Sequence, residues 1–409
     1  MTDSTGRSFL SYRRTRLEEA RLLIEAQHDI GIPTWQDLSE LEEGHTEALL
    51  LEALGAESTA NALCWLTPEV EASAAITKTE LPAIMRRIDR KDGFFMIPVA
   101  AGGLDYKDVT RIAGTYLGLH DLGQWNVRRV TSDPISATDA GVVARRVLER
   151  RIRAIAEALT PDAPLRLVLN TRKKPALERG VALSIDGTHR FDGRTIKSHG
   201  LWRECLLPAL ETIAQVWEEH ARGRRIIGEG LCGLPAAIAL GTTFLATRRL
   251  PVSWRQVSPN GPPELWSLEC AAEPSGFEAN IVHNNPSGED LVLLVSVASN
   301  VEPAFAAIRP KLHELRGFVV VRKAGNHPHD LKTPGEARDV VRVVVEGLRR
   351  ACDVLQPRGT LHLFLSVPAG LAVMIGQMLN TLGPVQTYEH LPTDGVGVYK
   401  PVAMLMPSA

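Results

Sequence analysis

Short apolar runs alternate along this chain with stretches whose apolar residues recur every third or fourth position. Phe9–Tyr12 predicts a first strand. Leu17, Ala20, Leu23 and Ile24 predict the helix after it, closed by Gly31-Ile-Pro33 ahead of Trp35. Beyond Asp37-Leu38 and an acidic loop holding Gly44, Ala48–Leu54 predicts another helix. Ala62–Leu66, bounded by Asn61 and Thr67-Pro68, predicts a buried strand, and Leu81, Ile84, Met85 and Ile88 predict a helix at the far side of a polar loop. Phe94–Val99 predicts one more strand. Strands alternating with helices imply a parallel sheet covered on both faces. Ligands collect beyond the carboxyl ends of such strands, which is where Ser11–Arg14, Trp35–Leu38 and Thr67–Glu80 converge.

Glu80 is the residue of interest in that cluster. Thr77-Lys-Thr-Glu80 fits a capping box, in which the glutamate only ties back to the cap backbone. Pro82 opposes this reading, because a helix begun at Thr77 would need the N–H that proline lacks. A helix begun at Thr79 puts Pro82 in the first turn and Glu80 at the positive helix end, where its ionised form is favoured.

The pattern then changes scale. Ala140–Leu159 is an amphipathic helix carrying Val143, Val147, Ile152 and Ile155 with five arginines between them, a charged face read most simply as solvated. Thr160-Pro-Asp-Ala-Pro164 is a compact linker. Two similar halves follow, about 165–275 and 276–409. Ala182–His189 lines up with Leu294–Val301, the helix Leu206–Glu219 with Val340–Leu355, and the strand and turn Ile226–Gly230 with His362–Pro368. Each turn opens an apolar helix, ending at Gly241 in one half and Gly376 in the other, and a last strand closes each half, Pro251–Trp254 and Pro384–Tyr388. Two Rossmann-like units able to pair as a pseudo-dimer around one cleft are expected, with an ordinary two-lobed α/β enzyme as the other reading.

Composition narrows the function. The 409 residues carry a net charge of −2, which argues against a general affinity for long nucleic acid but leaves room for a local basic pocket taking a small polyanion. Five scattered cysteines read as reduced packing residues, and no apolar run suits a signal peptide or a membrane span, so a cytoplasmic, membrane-free protein is expected. The C-terminal part holds no P-loop lysine and no GxGxxG with a downstream acid, Gly228-Glu-Gly230 falling short of one. It shows no Ser–His–Asp set, and no metal site is expected, His327-Pro-His329 beside Asp330 reading as an exposed loop. A binding module suits it better than a second active site.

The N-terminal order of pieces resembles a TIR domain over about residues 1–135. The likeness rests on Phe9-Leu-Ser-Tyr-Arg-Arg14, on Gly31-Ile-Pro-Thr-Trp-Gln-Asp37 with Gly44, on the strand Leu63–Thr67, and on a glutamate in the next helix at Glu80. The resemblance implies a flavodoxin-like parallel sheet and, with its closing helix, a domain over 1–159. It also implies NAD+ as substrate, nicotinamide and ADP-ribose as products, and Glu80 as the catalytic carboxylate. Nicotinamide is already cationic in NAD+ and leaves as a neutral base, so no general acid is needed. One carboxylate gripping the ribose hydroxyls can steady the charge building on the sugar, where neutral-leaving sugars need two. Ser11, Arg13, Trp35 and Asp37 would surround the dinucleotide. Arg13 reads equally as a surface ion-pair partner, Trp35 as a core aromatic and Asp37 as a turn residue. One departure stands out: Ala74 and Thr77 hold the Ser and Cys places of the Ser–x–x–Cys–x–x–Glu spacing found in many enzymatic members.

Residues 165–409, after the linker 160–164, resemble a SAVED domain, the duplicated CARF-like sensor of cyclic oligonucleotides in bacterial (CBASS) antiphage defence. Ala182–His189 with Phe191-Asp-Gly193 and Trp202 carry this likeness, together with His362–Pro368, Gly376 and Tyr388-Glu389. A TIR–SAVED pairing implies an effector. A cyclic oligoadenylate, with cyclic tri-AMP the expectation, would activate a homo-oligomer or filament of NAD+-cleaving domains, and no cofactor is required. A non-catalytic TIR scaffold that recruits partners is the alternative. Strand-end reasoning puts the messenger against Asp186, Gly187, Thr188, Gly228, Gly230, Ser299, Asn300, Ser366 and Pro368. Arg172, Lys173 and Lys174 add charge or form an exposed basic loop, and Trp266 or Tyr399 stacks a base or packs in the core.

Overall fold

The computed structural model describes the chain apart from residues 36–45, 119–126, 175–177, 199, 249, 259–260, 313, 326–328, 330, 381, 393–396 and 407–409. Asp37, Gly44, His327 and Asp330, singled out above, lie outside the described residues. Contacts divide the chain into two units. One comprises Met1–Ala163 with Ala176–Ile185 and Gln215–Arg222; the other comprises Pro164–Pro175, Asp186–Ala214 and Gly223–Ala409.

In the first unit the order is β1 (Arg7–Ser11), α1 (Leu17–Asp29), β2 (Thr34–Trp35), α2 (Thr46–Gly55), β3 (Thr59–Leu66), α3 (Leu81–Asp89), β4 (Phe95–Ala100), α4 (Tyr106–Ile112), β5 (Arg128–Arg129) and α5 (Ala137–Ala158). The strands form a parallel sheet ordered β2-β1-β3-β4-β5, a doubly wound arrangement whose switch point lies beside β1. All eight residues of β3 are buried, as a strand with neighbours on both edges and helices on both faces requires. Arg16, just past β1, closes the carboxyl rim by bonding Glu19 on α1, Glu69 after β3 and Asp133 after β5.

Helix α5 buries Val143, Val147, Ile152 and Ile155 as its periodicity requires. Its charged face is not simply solvated. Arg151 is fully buried and donates to the carbonyls of Thr5, Gly6 and Ala182. Burial lowers its guanidinium pKa to about 10.

The second unit draws on the chain from β6 (Leu165–Asn170) onward. β7 (Leu183–Asp186) and α6 (Leu207–His220) straddle the division, and a small hairpin, β8 (Phe191–Asp192) and β9 (Thr195–Ile196), lies between them. Then come β10 (Ile226–Glu229), α7 (Leu234–Thr243), β11 (Val252–Ser258), β12 (Gly261–Trp266) and β13 (Glu278–His283). They are followed by β14 (Asp290–Ser296), α8 (Glu302–Ile308), β15 (Leu315–Arg322), α9 (Pro334–Leu355), β16 (Leu361–Ser366), α10 (Ala369–Gly376), β17 (Val385–Leu391) and β18 (Val398–Leu405).

Strands β6-β10-β11-β12 run as three parallel neighbours and an antiparallel edge, and β14-β16-β17-β18 repeat that arrangement. The repeat corrects one alignment made from sequence. The place beside β16 belongs to β14 and the matching place beside β10 to β6, so Leu165–Asn170, not Ala182–His189, is the counterpart of β14. The apolar helices do correspond. α7 and α10 cross so closely that a Cβ on Gly241 would overlap the Val373 carbonyl and one on Gly376 would stand 2.6 Å from the Ile238 carbonyl oxygen. Only glycine permits that approach.

Candidate functional site

After β3 the chain makes a 3₁₀ turn, Pro68–Ala72, and then π-helical turns over Ala75–Glu80 that run directly into α3. This corrects the expected helix start. Glu80 is not at the positive end of a helix but inside a continuous helical run. The wide turn falls immediately before Pro82, whose ring and missing N–H would break an α-helical ladder there. The capping-box reading fails as well, since the Thr77 hydroxyl donates to the Ser73 carbonyl one turn back. The Thr79 hydroxyl donates to Glu47 on α2 at 2.9 Å, fixing the wide turn from the other side.

Glu80 is 7% exposed, and its Oε2 accepts a 2.6 Å hydrogen bond from the Ser11 hydroxyl. Ser11 ends β1 in register with Cys64 of β3, so two neighbouring strand ends meet the π turn at one point. Burial, with a further push from the Glu80 charge, holds the Cys64 thiol far above its usual range. Arg13 is half-buried, and its Nε is enclosed without a hydrogen-bond acceptor among the described residues, a donor suited to an anion. Trp35 is buried and stacked on Phe9, ring centroids 5.2 Å apart, so its ring belongs to the core. A buried carboxylate oriented by a hydroxyl at the rim of a parallel sheet can stabilise positive charge on a bound group.

A second site is a cavity of about 340 Å³ in the second unit. Arg172 after β6 and Cys232 before α7 meet Ser366, Glu389, His390 and Tyr399 there. Arg172 Nη2 lies 2.5 Å from Glu389 Oε1. Burial raises the Glu389 carboxyl above its usual range, against the opposing pull of Arg172, Arg194 and His390. Burial pushes the Cys232 thiol up to about 12. The floor is aromatic: Tyr388 stacks on Phe364 at 4.2 Å, and Tyr399 meets both Phe364 and His390 edge-on. The Tyr399 hydroxyl donates to the Leu365 carbonyl. Guanidinium at one wall and stacked rings at another suit a ligand that combines phosphate with flat bases.

Of the sensor residues read from sequence, Arg172, Ser366 and Tyr399 line this cavity, and Ser299 shares a 2.7 Å hydrogen bond with Ser366. The others do not line it. Lys173 is exposed. Asp186 holds the backbone and hydroxyl of Thr188 in a local turn. Gly228 makes room for the Trp254 ring, and Gly230 for the Leu169 carbonyl. Asn300 caps Glu302, Pro368 precedes the first turn of α10, and Trp266 is buried. Glu389, His390 and Arg194 went unassigned from sequence. A glutamate two places beyond Thr387 on a strand that buries both was the available signal.

Residues 210–405 match the family model described as the SMODS-associated and fused to various effectors sensor domain. This stretch is similar to SAVED domains. Among solved structures, the chain is similar to the Acinetobacter baumannii Cap4 SAVED/CARF-domain containing receptor with the cyclic trinucleotide 3'3'3'-cAAA. That similarity is at 13% identity and TM-score 0.49, covering 90% of this chain and 86% of that one. It is also similar to the Moraxella osloensis Cap4 SAVED/CARF-domain containing receptor, at 12% identity and TM-score 0.45, covering 96% and 100%. No curated protein matches the chain. Among the described residues, no helix is long and apolar enough to cross a membrane.

Proposed function

We propose that this protein is a messenger-gated NAD+ hydrolase of antiphage defence. Its SAVED domain captures a cyclic oligoadenylate, and its N-terminal unit, a TIR-type domain, then cleaves NAD+ to nicotinamide and ADP-ribose. The observation that carries the reading is the SAVED match over residues 210–405, which supplies the aromatic floor of Tyr388 and Tyr399, in a cavity that Arg172 also lines. A phosphodiester on the guanidinium and an adenine against the rings would satisfy both walls.

Support for the hydrolytic half comes from Glu80, placed at the carboxyl rim of the β2-β1-β3-β4-β5 sheet with Ser11 orienting it. Its charge opposes the positive charge that grows on the ribose as neutral nicotinamide departs, so the bond breaks without a proton donor. Arg13, whose Nε has no acceptor among the described residues, is the group for a pyrophosphate. Activation by assembly predicts a silent monomer: copies loaded with messenger associate, and turnover rises steeply with protein concentration.

The test is release of free nicotinamide from NAD+ by the purified full chain, alone and with cyclic di- and trinucleotides. Release that requires a cyclic trinucleotide supports the reading. Full turnover without any messenger overturns gating, and messenger binding without turnover leaves the scaffold reading in its place.

A further inference from the structure

The arginines of α5 do more than face solvent. Val142, Arg146, Arg150 and Arg153 fall on one helical face and form a wall of a groove of about 760 Å³ whose opposite side is the Phe95–Pro98 stretch of β4. Pairing of β4 with β5 is confined to Val99 with Arg128 and Ala100 with Arg129, so this stretch lies clear of β5. Neither Glu80 nor Ser11 lines the groove.

The charge there is one-sided. Glu149 is the one carboxylate among the described residues of the lining, and it bonds Arg145, which also reaches Gln215 and Glu219. Arg128, Arg150 and Arg153 make no ion pair among the described residues. Asp139 feels the charge of Arg128, but Ser132 and Ser136 both donate to its carboxylate. Burial and the like charges of Arg128 and Arg150 disfavour the cation at Arg146, against the opposing pull of Glu149. Guanidiniums that converge as Arg128, Arg150 and Arg153 do, with no ion pair among the described residues, are stabilised by an anion able to touch several at once. The apolar side adds a second constraint: the Arg150 guanidinium lies 5.5 Å from the Phe95 ring centre, and Ile88, Ile97 and Val142 surround it. A flat apolar group fits against that surface, and the volume is that of a small-molecule site.

We propose that this groove binds a nucleoside polyphosphate, its phosphates held by Arg128, Arg146, Arg150 and Arg153 and its base laid against Phe95 and its apolar neighbours. The site is separate from both the NAD+ and the messenger sites proposed above and does not depend on either.

The experiment is calorimetric titration of ATP, inorganic tripolyphosphate, adenosine and poly-glutamate into the full chain. It is run on the unaltered protein, on the exposed pair Arg150→Glu/Arg153→Glu, and on the neutral pair Arg150→Gln/Arg153→Gln, with circular dichroism confirming the fold of each. The expected result is ATP binding that weakens with salt, drops at least tenfold in both pairs, and persists in Glu80→Gln and Arg172→Ala. Tripolyphosphate binds more weakly than ATP, and adenosine does not register. ATP binding unaffected by either pair, or absent altogether, overturns the proposal. So does tripolyphosphate equal to ATP, since the apolar wall then contributes nothing. Poly-glutamate binding in place of ATP makes the groove a protein-docking face and overturns it too.

Discussion

Two carboxylates, each 7% exposed, stand near the carboxyl ends of strands in the two units and meet different partners. Glu80 accepts from the Ser11 hydroxyl, a neutral donor; Glu389 is held by the Arg172 guanidinium. A hydroxyl orients a carboxylate without cancelling its charge, and under the proposed function the Glu80 charge acts on a cation forming beside it. A guanidinium cancels most of that charge, so Glu389 acts as a resident counterion, and an incoming phosphate must compete with it for Arg172. Under the proposed function, equal burial goes with opposite roles, and the charge of these partners distinguishes the two.

The largest effect expected from this contrast is at Glu80. Glu80→Gln keeps the size and an acceptor for Ser11 but removes the charge. Messenger-stimulated nicotinamide release should fall about 10²–10³-fold, the usual loss when a preorganised electrostatic group is removed. Binding of cyclic tri-AMP by calorimetry should stay as it was. Release at the unaltered rate would end the assignment of Glu80.

At the other carboxylate, Arg172→Ala leaves Glu389 buried without its nearest cation. The side chains of the pair are only partly exposed, 21% for Arg172 and 9% for Glu389, so the loss in folding stability should reach about 2 kcal/mol near pH 8. It should shrink towards pH 5. The Glu389 carboxyl already titrates above its unfolded value, so the folded state keeps the proton to higher pH. The penalty for an ionised, unpaired carboxylate therefore grows only as pH rises through and beyond that raised value. Urea midpoints across this range read the effect, and an identical loss at pH 5 and pH 8 would contradict the ion-pair account. Glu389→Gln tests competition directly. With the counterion gone, cyclic tri-AMP should bind about tenfold more tightly, the worth of one hydrogen bond to a charged group; weaker binding would make Glu389 a ligand contact.

The contrast between the two sites also explains what the chain disclosed before folding. Glu80 was legible because it follows a strand of eight buried residues and a polar loop, a local order that fixes a sheet rim. Its helical setting was not. The choice between a cap and a π turn depends on how Pro82 is accommodated and on Thr79 reaching Glu47, a contact across 32 residues. Arg172 and Tyr399 were found by residue type at strand ends, whereas Glu389 was not, because its partner lies 217 residues away and no periodicity encodes that distance. Gly228 and Gly230 misled for a related reason. A glycine before a helix looks the same whether it admits a phosphate or, as here, a tryptophan ring and a crossing carbonyl. The arginines of α5 had a helical period but no visible partner, so groove and solvent were indistinguishable until β4 was placed opposite them.

The smallest expected effect tests the orienting half of the contrast. If Ser11 only aims Glu80, then Ser11→Ala should leave the charge in place and loosen its position. Losing one hydrogen bond to a charged group costs about 1.5 kcal/mol, or roughly tenfold in rate if the bond is fully used in the transition state. That loss should fall on kcat, with KM for NAD+ nearly unchanged, because the aim of the carboxylate matters most once charge has developed on the ribose. Removing a hydroxyl that is 3% exposed also leaves a small void, so a modest drop in melting temperature is expected whatever the role. The two effects separate cleanly. A serine that merely packs lowers stability and leaves the kcat of the folded enzyme alone; a serine that positions Glu80 lowers kcat even where the variant is fully folded. A rise in KM with kcat intact would instead make Ser11 a substrate contact, and the difference between Ser11 and Arg172 as partners would lose its meaning.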